Sequence, residues 1–216
     1  MNPEPESDCA LCPRLAEFRS SNRAQFPGWF NAPVPSWGDP KPKLLIVGLA
    51  PGLRGANRTG RPFTGDYAGD LLFETLAKAG ASRGTYDCRP NDGLELSGVR
   101  ITNAVRCVPP QNKPVGAEIT ACRGFLTSTI AALSDVRSIL VLGRIAHDSL
   151  LSSLGLKRSQ YAFGHGARHD LPNKLVLFDS YHCSRYNTNT GRLTSEMFEE
   201  VVFAACKHAR IGQFAD

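Results

Sequence analysis

The 216-residue sequence predicts an α/β protein, a three-layer α/β/α sandwich built on a mainly parallel, four-stranded central sheet. Three observations predict it. Four short runs rich in apolar residues, at residues 43–48, 99–105, 138–142 and 175–178, read as strands, and the first, KLLIVG, is continuous, as befits a strand buried on both faces. Segments of helical periodicity separate them. That strand–helix alternation calls for a parallel sheet with helices on both faces. A hydrophobic share of 42% and a charged share of 21% suffice for one sizeable core, so residues 1–216 read as a single domain.

The elements follow in order. Residues 1–20 hold a Cys-x-x-Cys pair, Cys9 and Cys12, leading into a short helical pattern. Residues 22–42, rich in Pro, Gly, Trp and Asn, read as a long ordered loop. The first strand, KLLIVG, runs into a glycine-rich loop, and residues 70–79 are helical up to Gly80. Residues 83–97 read as a polar connection, and VRITNAV as the second strand. A helix over 116–133 follows Pro114. The third strand, SILVL, leads through Gly143 into a helix over 145–154. The fourth strand ends in SYHCSRYN, and Thr194 is placed to cap a last amphipathic helix over 194–210.

Bulk properties exclude some classes. No stretch has the apolar length that a bilayer demands, and MNPEPESDCALCP lacks the pattern of a secretory signal. The expectation is therefore a cytoplasmic, membrane-free monomer. Seven cysteines in a reducing compartment point to metal binding plus a few buried thiols rather than disulfides. A net charge of +5 is compatible with a polyanionic partner and proves none.

In parallel sheets ligands bind beyond the carboxyl ends of the strands. Three unusual loops follow strands here, beginning at Leu49, Asn103 and Tyr181. The first lacks both GxxxxGK[ST] and GxGxxG, which leaves a pocket whose amides meet a planar polar ligand. Phe63 offers such a ligand a flat face, although a core aromatic is the commoner role. Asp66 is suited to orienting water or to stabilising positive charge. An N-cap is its commoner role. His182, in a dense polar run, can donate to an oxygen that gains negative charge. The spacing of Cys9, Cys12, Cys107 and Cys122, C-x2-C…C-x14-C, suits zinc and an iron–sulfur cluster about equally. Cys88, Cys183 and Cys206 have no partner pattern, and Cys183 is placed to line the pocket.

At these segments the sequence resembles the family 5 uracil-DNA glycosylases. GLAPGLRGANRTGRPFTGD is similar to their first motif, ITNAVRCVPP to the segment with the base-reading Asn, and SYHCSRYNTNTGRLT to the last motif. The resemblance runs from Cys9 to the final helix. It implies a uracil-DNA glycosylase-like fold and excision of uracil from DNA, with hypoxanthine and ethenocytosine as further bases. It implies that Asp66 assists hydrolysis, Phe63 stacks on the flipped base, Asn103 reads its edge and His182 stabilises the departing base. Leu49, Ala50, Pro51 and Gly52 would line the base pocket, and Arg58, Ser184, Arg185 and Tyr186 would meet DNA. The four cysteines match the family's ligands for a [4Fe–4S] cluster.

Two departures stand out. Cys183 replaces the usual Pro after the histidine, removing a residue that fixes φ. Leu49 stands where the related family 4 enzymes carry Glu. With a roomy, largely apolar pocket, Leu49 implies tolerance of several bases. It also keeps open a protein of the same fold that binds damaged DNA without cleaving it. Arg54, Arg58, Arg61, Arg106 and Arg185 cluster on the motif loops and are expected to contact phosphates.

Overall fold

The computed structural model describes residues 4–215; the ends of the 1–216 domain lie outside them. Helix α1 (Pro13–Gln25) starts with Pro at its first position, where the missing N–H costs nothing. Strand β1 (Trp37–Gly38) precedes β2 (Leu44–Gly48), the one-turn helix α2 (Ala56–Thr59) and α3 (Tyr67–Lys78). A small hairpin, β3 (Ser82–Arg83) with β4 (Glu95–Leu96), leads to β5 (Val99–Asn103) and α4 (Gly116–Ala131). Strand β6 (Ser138–Leu142), α5 (Arg144–Ser153), β7 (Arg168–Asp170) and β8 (Val176–Ser180) follow, then α6 (Arg185–Asn189) and α7 (Ser195–Ala209).

The main sheet has six strands, in the order β1-β5-β2-β6-β8-β7. Its four central strands are parallel and correspond to the four apolar runs of the sequence. The expectation of a four-stranded sheet is corrected at both edges, where β1 and β7 pair antiparallel. Two-residue β1 and polar, largely exposed β7 carry no apolar run, so sequence periodicity cannot register them. For the same reason the hairpin β3–β4 lay hidden in the polar connection.

Side chains of a strand alternate between faces. Leu44 and Ile46 pack with Leu72, Leu76, Phe198 and Val202 on the α3–α7 face. Leu45 and Val47 pack with Leu126, Leu150 and Leu151 on the α4–α5 face. These two cores make the three layers. They also mark a reversal of winding: the chain passes from β2 to β5 on one side, then crosses to β6 on the other. Such a reversal leaves a crevice beyond the carboxyl ends of the strands around β2, where Gly48 pairs with Asn103 of β5.

Candidate active site

That crevice is a cavity lined by Ala50, Pro51, Gly52, Ala56, Phe63, Asp66, Ala68, Asn103 and His182. The structure thus brings together seven of the residues singled out in the sequence, and adds Ala56 and Ala68. Leu49 is absent from the lining, and its carbonyl accepts the Val105 N–H at 2.9 Å. The pocket is narrow, with about 30 Å³ of free volume, and three of its nine lining residues are polar or charged. The small volume corrects the expectation of a roomy pocket.

Asn103 ends β5, only 3% exposed, and its Oδ1 has no hydrogen-bond partner among the described residues. A buried acceptor left unpaired is costly, so it is notable where it faces a cavity. It fits there because residue 48 is glycine: a β-carbon would stand 2.4 Å from Asn103 Oδ1 and 2.7 Å from Phe63 Cζ. Phe63 itself takes φ +54, a left-handed conformation that a bulky residue adopts only under constraint. Tyr86 supplies part of that constraint. Its hydroxyl donates to the Phe63 carbonyl at 3.3 Å and accepts from the Gly65 N–H at 3.1 Å.

Asp66 serves two roles at once. Its Oδ1 accepts from the Gly69 N–H at 3.3 Å, capping α3, which begins three residues earlier than its sequence pattern suggested. The carboxylate also lines the cavity, with Oδ2 against Gly52 and Gly55. Burial raises its pKa above the ordinary carboxylate value, opposed by the hydrogen bond from Gly69. His182 stacks near Phe63, ring centroids 6.1 Å apart and planes 25° from parallel. Desolvation pushes its pKa down to about 4, so the imidazole is neutral at physiological pH. Asn187 Nδ2 holds the His182 carbonyl at 2.8 Å, an anchor that the sequence reading missed.

Around the rim the expectations divide. Arg58 and Arg185 are exposed, and Tyr186 is 73% exposed. Ser184 is partly occupied as the N-cap of α6, accepting from the Asn187 N–H at 3.4 Å. Arg61 and Arg106 cannot reach phosphates. Arg61 is buried in a bidentate pair with Asp92 (2.8 and 2.7 Å), and Arg106 is buried against Glu4 at 2.9 Å. Cys183 does not line the cavity; fully buried, its thiol donates to the Ala68 carbonyl at 3.5 Å.

Cys9, Cys12, Cys107 and Cys122 line one small cavity, among Leu15, Val105 and Phe125. All four are free thiols. Burial pushes Cys107 up to about 11 and Cys122 to about 12. Cys107 Sγ accepts from Arg19 at 3.6 Å and Cys122 Sγ from the Arg106 N–H at 3.3 Å. Elsewhere among the described residues, His147, His169 and Asp179 bring ligand atoms within 4.8 Å of one another, with each imidazole bonded to the Asp179 carboxylate.

Comparison with known proteins agrees with this geometry. A family model for the uracil DNA glycosylase superfamily matches residues 35–205. The chain is 47% identical to the type-5 uracil-DNA glycosylase of Thermus thermophilus, over 91% of this chain and 92% of the relative. It is 39% identical to that of Pyrobaculum aerophilum, over 94% and 89%. A type-4 uracil-DNA glycosylase of Sulfurisphaera tokodaii is 32% identical over 78% of this chain and 72% of the relative.

Proposed function

The chain belongs to the uracil-DNA glycosylase superfamily, among the type-5 enzymes, and we propose that its cavity receives a uracil extruded from DNA and hydrolyses the N-glycosidic bond there. One observation carries this reading: Phe63, Asp66, Asn103 and His182 line a single cavity at the carboxyl rim of the sheet. A base within a duplex is out of reach, so its nucleotide must leave the stack at a cost of a few kcal/mol. Tyr186 and Arg185, exposed on α6 beside His182, are placed to fill the gap.

In the reaction the bond between C1′ and the base nitrogen breaks and its electron pair leaves with the base. The neutral His182 donates a hydrogen bond to the base oxygen where that charge gathers, and the Gly52 amide adds a second dipole. The Asp66 carboxylate stabilises the cationic sugar and takes the proton of the water that adds to C1′. The base anion is protonated from solvent. Phe63 stacks on the base. Asn103 Oδ1 needs a donor, which the ring N–H beside a carbonyl of uracil or hypoxanthine supplies. Cytosine and adenine present an unprotonated nitrogen there. Ethenocytosine lacks that N–H as well, so this contact does not account for it.

A protein that binds damaged DNA without cleaving it was kept open by Leu49. Since Leu49 lies outside the cavity, its side chain gives no reason to favour that reading. The deciding experiment incubates a uracil-containing duplex with the protein and then cleaves abasic sites with alkali. Strand scission that depends on the protein supports excision; tight binding without scission overturns it.

We propose that the four cysteines, which line one cavity, hold the [4Fe–4S] cluster that the family resemblance implies. The donor set is four thiols with N–H groups directed at two of them, a setting that suits thiolates on iron. Bound there, the cluster would staple α1 to the β5–α4 connection. No catalytic step passes through it.

A further inference from the structure

Beside the base cavity, across α2, lies an open groove of about 500 Å³ lined chiefly by Trp29, Phe30, Arg58, Thr59 and Arg89. Helix α2 is the shared wall: Ala56 faces the cavity, and Arg58 and Thr59 face the groove. At 1.5 Å per residue this four-residue helix is only about 6 Å long. The groove is built, not accidental. Trp29 stacks on Phe26 with centroids 4.0 Å apart and planes 8° from parallel. The Phe30 N–H donates to the Arg58 carbonyl at 3.0 Å. The Phe30 ring seats against Gly60, where a β-carbon would stand 2.7 Å away. Yet 43% of Phe30 remains exposed. Arg58 is exposed and has no ion pair among the described residues, and exposed Arg89 pairs with Asp87 alone.

We propose that this groove binds an unpaired nucleotide flanking the extruded base, making it a single-strand DNA subsite. The inference rests on the reading that the cavity takes a base from DNA. Flat aromatic faces accept any base by stacking, and guanidinium groups follow the phosphates; together they are the chemistry of single-stranded nucleic acid recognition. With α2 contributing residues to both walls, the neighbouring nucleotide of the same strand is within reach of the groove. Fully paired flanks keep their bases stacked and cannot use it, so frayed, bubbled or single-stranded flanks should bind better than a closed duplex.

The test measures binding of a uracil-free oligodeoxythymidine, and of a fully paired duplex of the same length, by fluorescence anisotropy. The proteins compared are wild type, Trp29→Ala, Phe30→Ser and Arg89→Gln. Phe30→Ser and Arg89→Gln change exposed side chains and keep the test valid if Trp29→Ala fails to fold. The expected result is about tenfold weaker single-strand binding for Phe30→Ser, with duplex binding changed less than twofold. Equal single-strand affinity in folded Phe30→Ser and Arg89→Gln overturns the proposal. So does an acidic peptide that competes as well as the oligonucleotide. Failure of the excision reading is separate: it would be seen as absence of alkali-labile sites with wild-type protein, whatever the groove variants do.

Discussion

Gly55 and Asp66 are packed so closely that a β-carbon on Gly55 would stand 2.2 Å from Asp66 Oδ2. No glycine-to-alanine change at this site can leave the carboxylate where it is. Gly55→Ala is therefore expected to lower single-turnover uracil excision on the order of 10²-fold, as misplacement of about 1 Å can. Circular dichroism should show the fold retained. A variant with wild-type rate would mean that the carboxylate's position is immaterial.

Asn103 should trade stability for function. Its unpaired buried oxygen costs about 1–3 kcal/mol, which a leucine of similar size would relieve. Asn103→Leu is expected to melt a few degrees higher while excising uracil roughly 10–100-fold more slowly. Lower stability with full activity would refute a role in reading the base.

Burial raises the Asp66 pKa, so its carboxylate is lost on the acid side sooner than for an ordinary aspartate. The acid limb of the single-turnover pH profile should lie above about 3.9, the value for a free aspartate, and should vanish from the residual rate of Asp66→Asn. The sign for stability is opposite. A group that binds its proton more tightly when folded favours the fold at low pH and loses that contribution as pH rises through the folded pKa. Asp66→Asn, which keeps an N-cap, should therefore melt higher at neutral pH. His182, neutral above about 4, should add no step between there and neutrality.

For the cysteines the prediction is compositional. Protein purified without oxygen should be coloured and carry about four iron and four sulfide per chain, and Cys122→Ala should lose both the colour and several degrees of melting temperature. Colourless protein with a single zinc would contradict the cluster.

Much of the architecture was legible because buried parallel strands write short runs rich in apolar residues, and the four central strands follow them. Asp66 was legible as two alternatives, a cap and a catalytic group; in the structure one oxygen caps α3 and the side chain also lines the cavity, so the two do not exclude each other. What stayed hidden is held by long-range polar contacts. Tyr86 and Asp92 lie in a segment that reads as a plain connection, yet Tyr86 pins Phe63 and Asp92 holds Arg61 beneath Trp37. Only folding shows that Arg61 and Arg106 are buried while Arg58 is exposed. Cys183, standing where a proline was expected, went into the core because its thiol finds the Ala68 carbonyl.

The measurement that bears most directly on the shared cavity is the single-turnover rate of His182→Ala on a uracil-containing duplex, beside wild type and Asp66→Ala. Loss of one donor to a developing anion is worth about 10²–10³ in rate, and His182→Ala should fall by that amount, Asp66→Ala by less. Wild-type rates from both variants, with DNA still bound, would contradict the assignment of the cavity as the place where the bond is cut.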